Sequence, residues 1–260
     1  MELELRGKVA LVTGSSRGIG RSIAEALAAE GCQLMLTGRD ETALAAAAAA
    51  ITALGATAKL QIADLRREEA PASLAAATER AFGRLDILVN NAGATKRGDF
   101  LALTDADWQD GYALKFFAHV RLARAAWPLL QRSRGSLVTI AGIGGRAPTA
   151  DFTIGGSVNA AAMAFTKALA DLGKSAGVQV NAINPGHVDT DRLQHRLHAL
   201  MREAGLDEAG ARERCREMLG ITRLGLPQDI AGLVAFIVSP RGRWLHGATI
   251  DMDGGQLSML

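Results

Sequence analysis

Two cysteines, Cys32 and Cys215, stand in 260 residues, too few for a disulfide framework or a structural zinc site. Both read as reduced, partly buried thiols in a reducing compartment. Aromatic residues are 4% of the chain and tyrosine occurs once, at Tyr112, so any chemistry needing a tyrosine elsewhere is excluded. There is no run of lysine and arginine, and the formal charge is only +2, which speaks against a nucleic-acid footprint. No apolar run is long enough for a bilayer: the alanine stretch Ala45–Ala50 is short and weakly apolar. The opening "MELELRGKVALVTG" is acidic at Glu2 and Glu4 and lacks a signal-peptide layout. No Pro/Ser-rich linker or repeat divides the chain. These absences lead to the expectation of one soluble, cytoplasmic domain with no membrane or nucleic-acid partner.

What is present alternates. "KVALVTG" (8–14), "QLMLTGR" (33–39), "KLQIADL" (59–65), "LDILVNNAG" (85–93), "GSLVTIAG" (135–142), "VQVNAINPG" (178–186) and "GATIDMDGG" (247–255) are short apolar runs ending near glycine or polar residues, predicted as strands. Helical patterns separate them. One begins at Ile19 and stops at Gly31, others cover 40–55, 70–83, 105–121 and 158–175, and one opens on Pro227. Pro128 is predicted to kink or end a turn. Strands apolar on both faces and separated by helices imply an α/β fold: a single doubly wound Rossmann-type domain with a seven-stranded, mainly parallel sheet. The charged segment 191–219 carries Leu193, Leu197, Leu200 and Met201 on one helical face, either to close over a ligand or to pack as a surface helix.

"TGSSRGIG" (13–20) joins the first strand to the first helix. Gly14 lets the backbone turn, Gly18 leaves room for a pyrophosphate and Gly20 allows close helix–strand packing, while the helix N-terminus offers N–H groups to phosphate. The position that holds an acidic residue in NAD sites is Gly38, followed by Arg39. With Arg17 in the loop, that slot favours the 2′-phosphate of NADP(H) over NAD(H).

With "TGSSRGIG", "NNAG" (90–93) and "NPGHVDT" (184–190), the chain resembles the short-chain dehydrogenase/reductase family along its whole length, in the branch similar to 3-oxoacyl-carrier-protein reductases. The resemblance implies cofactor contacts at Gly14, Ser16, Arg17, Gly18, Ile19, Gly20 and Arg39. It implies adenine contacts at Asp64 and Leu65, ribose contacts at Asn91, Ala92 and Gly93, and the nicotinamide end at Pro185, Gly186, Val188 and Thr190. It also implies a small-molecule substrate and a homotetramer or homodimer built on the long helices.

The chain departs from the family at the chemistry. The family's catalytic asparagine, serine, tyrosine and lysine fall on Ala113, Gly142, Gly155 and Asn159. Gly155 has no proton to give and Asn159 no charge with which to lower a neighbour's pKa, although its amide can bond ribose hydroxyls. Three readings follow. One is an NADP(H) oxidoreductase with a relocated acid, for which His187 is the candidate, with Lys96 and Arg97 at the substrate mouth suiting an anionic substrate. Asp151 and Thr153 are weaker candidates for the acid. A second is a catalytically silent cofactor-binding protein or partner subunit, and a third is non-redox lyase or isomerase chemistry on the same fold.

Overall fold

Alternate residues of the first strand, β1 (Val9–Thr13), serve opposite sides of the molecule. Ala10 and Val12 enter one apolar cluster and Val9 and Leu11 the other. That is why the run is continuously apolar: both faces are covered. The computed structural model describes residues 2–258. After β1 the chain forms α1 (Gly18–Ala29), β2 (Gln33–Gly38), α2 (Glu41–Ala53), β3 (Ala58–Ile62), α3 (Ala70–Phe82) and β4 (Ile87–Asn90). Then come α4 (Asp105–Tyr112), α5 (Ala118–Ser133), β5 (Ser136–Ile140), α6 (Thr153–Ala176) and β6 (Gln179–Pro185). The last elements are α7 (Asp191–Ala204), α8 (Glu208–Leu219), α9 (Pro227–Val238) and β7 (Thr249–Met252).

Among the described residues, the strands form one seven-stranded sheet in the order β3-β2-β1-β4-β5-β6-β7, and every pairing is parallel. The order reverses between β1 and β4, where Val12 lies opposite Leu36 on one side and Val89 on the other. A crevice opens at such a switch point, beyond the carboxyl ends of the strands. Ile23 and Leu27 of α1 and Val234 of α9 fill one core, while Leu74 of α3 with Leu122 and Leu130 of α5 fill the other.

Four details depart from the sequence expectation. β3 is an edge strand, so Leu60 and Ile62 remain exposed, and the rule of burial on both faces fails there. The helix expected over 105–121 is interrupted by a π-helical turn, Ala113–Phe117, between α4 and α5. Pro128 ends nothing: it lies inside α5, whose buried Ala126, Leu129 and Leu130 hold the helix on the core through to Ser133. α6 starts at Thr153, earlier than the range 158–175 and in line with reading Phe152–Ala170 as the start and body of a helix, and its first turn, glycines included, is packed against the segment before it. No helix among the described residues is long and apolar enough to cross a membrane.

Candidate active site

The loop after β1 is shaped by its contacts with β4. Gly14 has φ +65°, and a Cβ there would lie 3.1 Å from both the Ala92 Cα and the Asn91 Nδ2. Gly20 is tighter still, since its Cβ would overlap the Gly14 carbonyl oxygen. Asn91 fixes this approach by donating its Nδ2 to the Thr13 carbonyl at 2.9 Å, while the backbone N–H groups of Asn91 and Ala92 donate to Thr13 Oγ1. The N-terminus of α1 has no side-chain cap and no acidic residue in its first turn. Its N–H groups and positive dipole end therefore face the crevice without an internal anion, as a phosphate cradle requires.

Charge at the adenosine end agrees with the expected slot. A Cβ on Gly38 would sit 3.3 Å from Ser16 Oγ, so the position is crowded as well as neutral. Arg39 and Arg17 are exposed beside it. Asp64 lies near enough to feel Arg39. Burial works to raise its carboxyl, but the Arg66 backbone N–H, the Arg66 guanidinium and Arg39 outweigh that and hold it below the usual range. Leu65 turns its side chain into the core. Arg17 Nη1 also reaches Asp191 Oδ2 of α7 at 3.3 Å, so α7 spans the mouth above the loop. Thr190 approaches Gly18 from the same side. These residues fit a phosphorylated dinucleotide: a capless helix end, a cradle that a Cβ would fill, and two guanidinium groups beside an uncharged slot.

At the other end of the crevice stand Gly142, Gly155 and Asn159, the positions at which the family resemblance led to an expectation of altered chemistry. A Cβ on Gly155 would overlap the Phe152 ring, and one on Gly144 would lie 2.8 Å from Phe152 Cε1. The volume beside Gly155 is therefore occupied by Phe152. Arg97 stacks on the outer face of that ring, its guanidinium 3.9 Å from the centroid, and donates to Asp151 Oδ2 at 2.7 Å. Gly142 has φ +142°, and its absent Cβ would meet Asn159 Nδ2 at 3.0 Å. Asn159 is 2% exposed and its Oδ1 accepts no hydrogen bond. Thr153 Oγ1 is likewise buried and unpartnered.

The other candidates are variously engaged. His187 donates Nδ1–H to Gln256 Oε1 at 2.9 Å and accepts from Arg196 at 3.1 Å through Nε2. Burial, with Arg196 and Arg97 nearby, keeps it below its usual pKa despite the Gln256 bond, so both nitrogens are occupied in the neutral ring. Lys96 pairs with Asp107 of the α4 capping box at 2.9 Å. Tyr112 stacks on Trp108, meets Phe116 edge-on and lies tilted to Phe117 in an aromatic group.

The residue of the α4–α5 helix that does enter the site is Lys115, two positions beyond Ala113. Its stem packs on Gly93, where a Cβ would lie 2.8 Å from Lys115 Cγ and Cδ, and its Nζ donates to the Ala141 carbonyl at 2.8 Å. It is 7% exposed and meets no carboxylate among the described residues. Burial, with Arg192 adding repulsion, pushes its pKa down to about 7. Arg192 donates to the Gly93 carbonyl from above. His119, one turn on, donates Nε2–H to Ala92 O, and burial lowers it to about 4. The π-helical turn sets this orientation by adding a residue to the helical repeat. A lysine inside the short apolar stretch Ala113–Phe117 was the signal in the sequence, and helical counting alone did not reveal its direction.

Comparison with known proteins agrees with this geometry. The family model described as short chain dehydrogenase matches residues 8–200. An uncharacterized oxidoreductase of Mycobacterium tuberculosis is 36% identical over 253 residues, covering 96% of this chain and 92% of that protein. The 3-oxoacyl-[acyl-carrier-protein] reductase of Escherichia coli is 33% identical over 257 residues, covering 97% of this chain and 98% of its own. The crystal structure of L-sorbose reductase from Gluconobacter frateurii, complexed with NADPH and L-sorbose, superposes with a TM-score of 0.96 at 32% identity over 100% of both chains. By fold, crevice and sequence alike, the chain belongs to the short-chain dehydrogenase/reductase family.

Proposed function

We propose that this protein is an oxidoreductase that binds NADP(H), in preference to NAD(H), across the switch point between β1 and β4. The observation that carries the reading is the cradle: an α1 N-terminus without internal cap or acid, glycines too closely packed for side chains, and Arg17 and Arg39 flanking the neutral Gly38. The L-sorbose reductase that superposes on the whole chain is complexed with NADPH, which supports the same cofactor here. Bound there, the cofactor would supply or accept hydride. The chain's part is to hold it, through the loop, Asn91–Gly93, Asn159 and Pro185–Thr190, and to manage the proton on a carbonyl or alcohol substrate. Arg97 and Arg192 at the mouth favour an anionic substrate.

Calorimetric titration of the cofactor-stripped protein tests this. NADPH is expected to bind at least tenfold more tightly than NADH, and Arg39→Ala to narrow that ratio, since a lost charge-assisted bidentate contact costs about 1.5–3 kcal/mol. If neither cofactor binds, the reading fails.

One observation favours a second reading. Phe152 fills the space beside Gly155, as it would in a protein that holds the cofactor without turning over. Tight NADPH binding with no turnover across a panel of aldehydes and ketones would select that reading. For assembly we propose a homodimer or homotetramer built on the α4–α5 and α6 helices, where Phe117 and Leu172 are exposed. Sedimentation of the purified protein as a monomer at micromolar concentration would overturn it.

A further inference from the structure

Among the described residues, three features of the nicotinamide end belong together. Lys115 Nζ carries three donors and its one hydrogen bond goes to Ala141 O, leaving two unspent. Asn159 Oδ1, a buried acceptor, has no donor. Both side chains flank the Ala141–Gly142 link at the end of β5, where the family's serine would stand. A buried ammonium without a carboxylate is costly, and an apolar side chain would pack there more stably. The structure gives Lys115 no ion pair that would explain its retention.

We propose, on the basis of the NADP(H) reading, that the proton of this chain's reaction is held at Lys115 Nζ, which enters the nicotinamide end from the α4–α5 side. The family's tyrosine and lysine act from α6, the neighbouring helix packed against the π-helical turn, whose start is here closed by Phe152. When a substrate carbonyl oxygen gains negative charge, its new O–H bond forms as one N–H bond of Lys115 breaks. The nitrogen keeps the electron pair and recovers a proton from solvent. In the reverse direction the neutral amine takes the proton of an alcohol. Asn159, through its free acceptor, is a positioning residue that receives a hydroxyl hydrogen beside the same carbonyl.

The surroundings suit a lysine that changes charge near neutrality. Arg192 of α7 is the charged group facing it from another element, and His119 lies one turn on along its own helix. β4, β5 and α6 present the uncharged Gly93, Ala141 and Asn159. His119 titrates near 4 and so stays neutral throughout the range in which Lys115 changes.

The experiment needs no substrate. Oxidised NADP+ carries a positive nicotinamide ring and NADPH a neutral one, while the phosphates are common to both and cancel in the ratio of their affinities. Titrating wild type with each at pH 6 and at pH 8.5 is expected to show NADP+ gaining about tenfold relative to NADPH at the higher pH, as Lys115 loses its charge. Lys115→Met is expected to give a pH-independent ratio that favours NADP+ at both values. Lys115→Arg, permanently charged, should disfavour NADP+ at both. If both cofactors bind wild type and the ratio does not move with pH, Lys115 does not face the nicotinamide and the proposal is overturned, with the cofactor reading intact. A pH swing that persists in Lys115→Met overturns it equally. Absence of binding by either cofactor removes the NADP(H) reading and this proposal together.

Discussion

Lys115 and Gly155 show how single positions changed the character of the crevice. Burial lowers Lys115 from its ordinary 10.5 to about 7, and that shift is also a statement about stability. Between those values the unfolded chain holds a proton that the folded chain does not, so stability rises with pH across the window. Below 7 both states are charged and the whole cost of burial is present. Lys115→Met is therefore expected to raise unfolding free energy by about 3 kcal/mol at pH 6, the gain fading as pH approaches 10. Urea unfolding at several pH values measures this, and a loss of stability at pH 6 would show that the lysine is structural. Gly155 makes a different point. A glycine at 155 suggests an empty pocket, yet the pocket is full, because Phe152 turns its ring into it. The sequence displayed the loss at 155, but the compensation three residues earlier depends on a side-chain direction that no spacing rule supplies.

At the scale of elements, helices and strands were legible wherever burial on a face repeats regularly. β1 and β4 are mostly apolar because they are interior strands, and their positions follow from the runs alone, whereas interior β6 also buries Gln179, Asn181 and Asn184. The α4–α5 helix was read less well. Its π-helical turn shifts the phase of everything after Ala113, and Lys115 is turned onto Gly93 and Ala141. The segment 191–219 was legible as amphipathic helix, but the use of its apolar face was not. It folds as two helices broken at Gly205, with φ +64°, and Leu193 and Leu197 of α7 pack on Ala211 and Cys215 of α8. That face is spent within the pair rather than offered to a ligand. Leu197→Ala is expected to cost about 2–4 kcal/mol of local packing. Hydrogen exchange should then quicken in α7 and α8 while the sheet stays protected; uniform acceleration across the chain would contradict this separation.

On the scale of the whole molecule, the sequence by itself determined the doubly wound parallel sheet, the glycine-rich loop after β1, and the glycine and asparagine that stand at 155 and 159. Each of these is written locally: in alternating apolar runs, in glycine spacing that a close backbone approach demands, and in the identity of the residues at 155 and 159. Tertiary structure alone decided what stands in their place. Gly93, Lys115, Ala141, Phe152, Asn159 and Arg192 come from five separate stretches of chain, and they meet because parallel strands β4 and β5 end side by side next to the β1–β4 switch point. Sequence records which side chains exist. Whether a lysine is a solvated surface charge or a buried one at an active site depends on the low-dielectric surroundings that only the folded chain assembles.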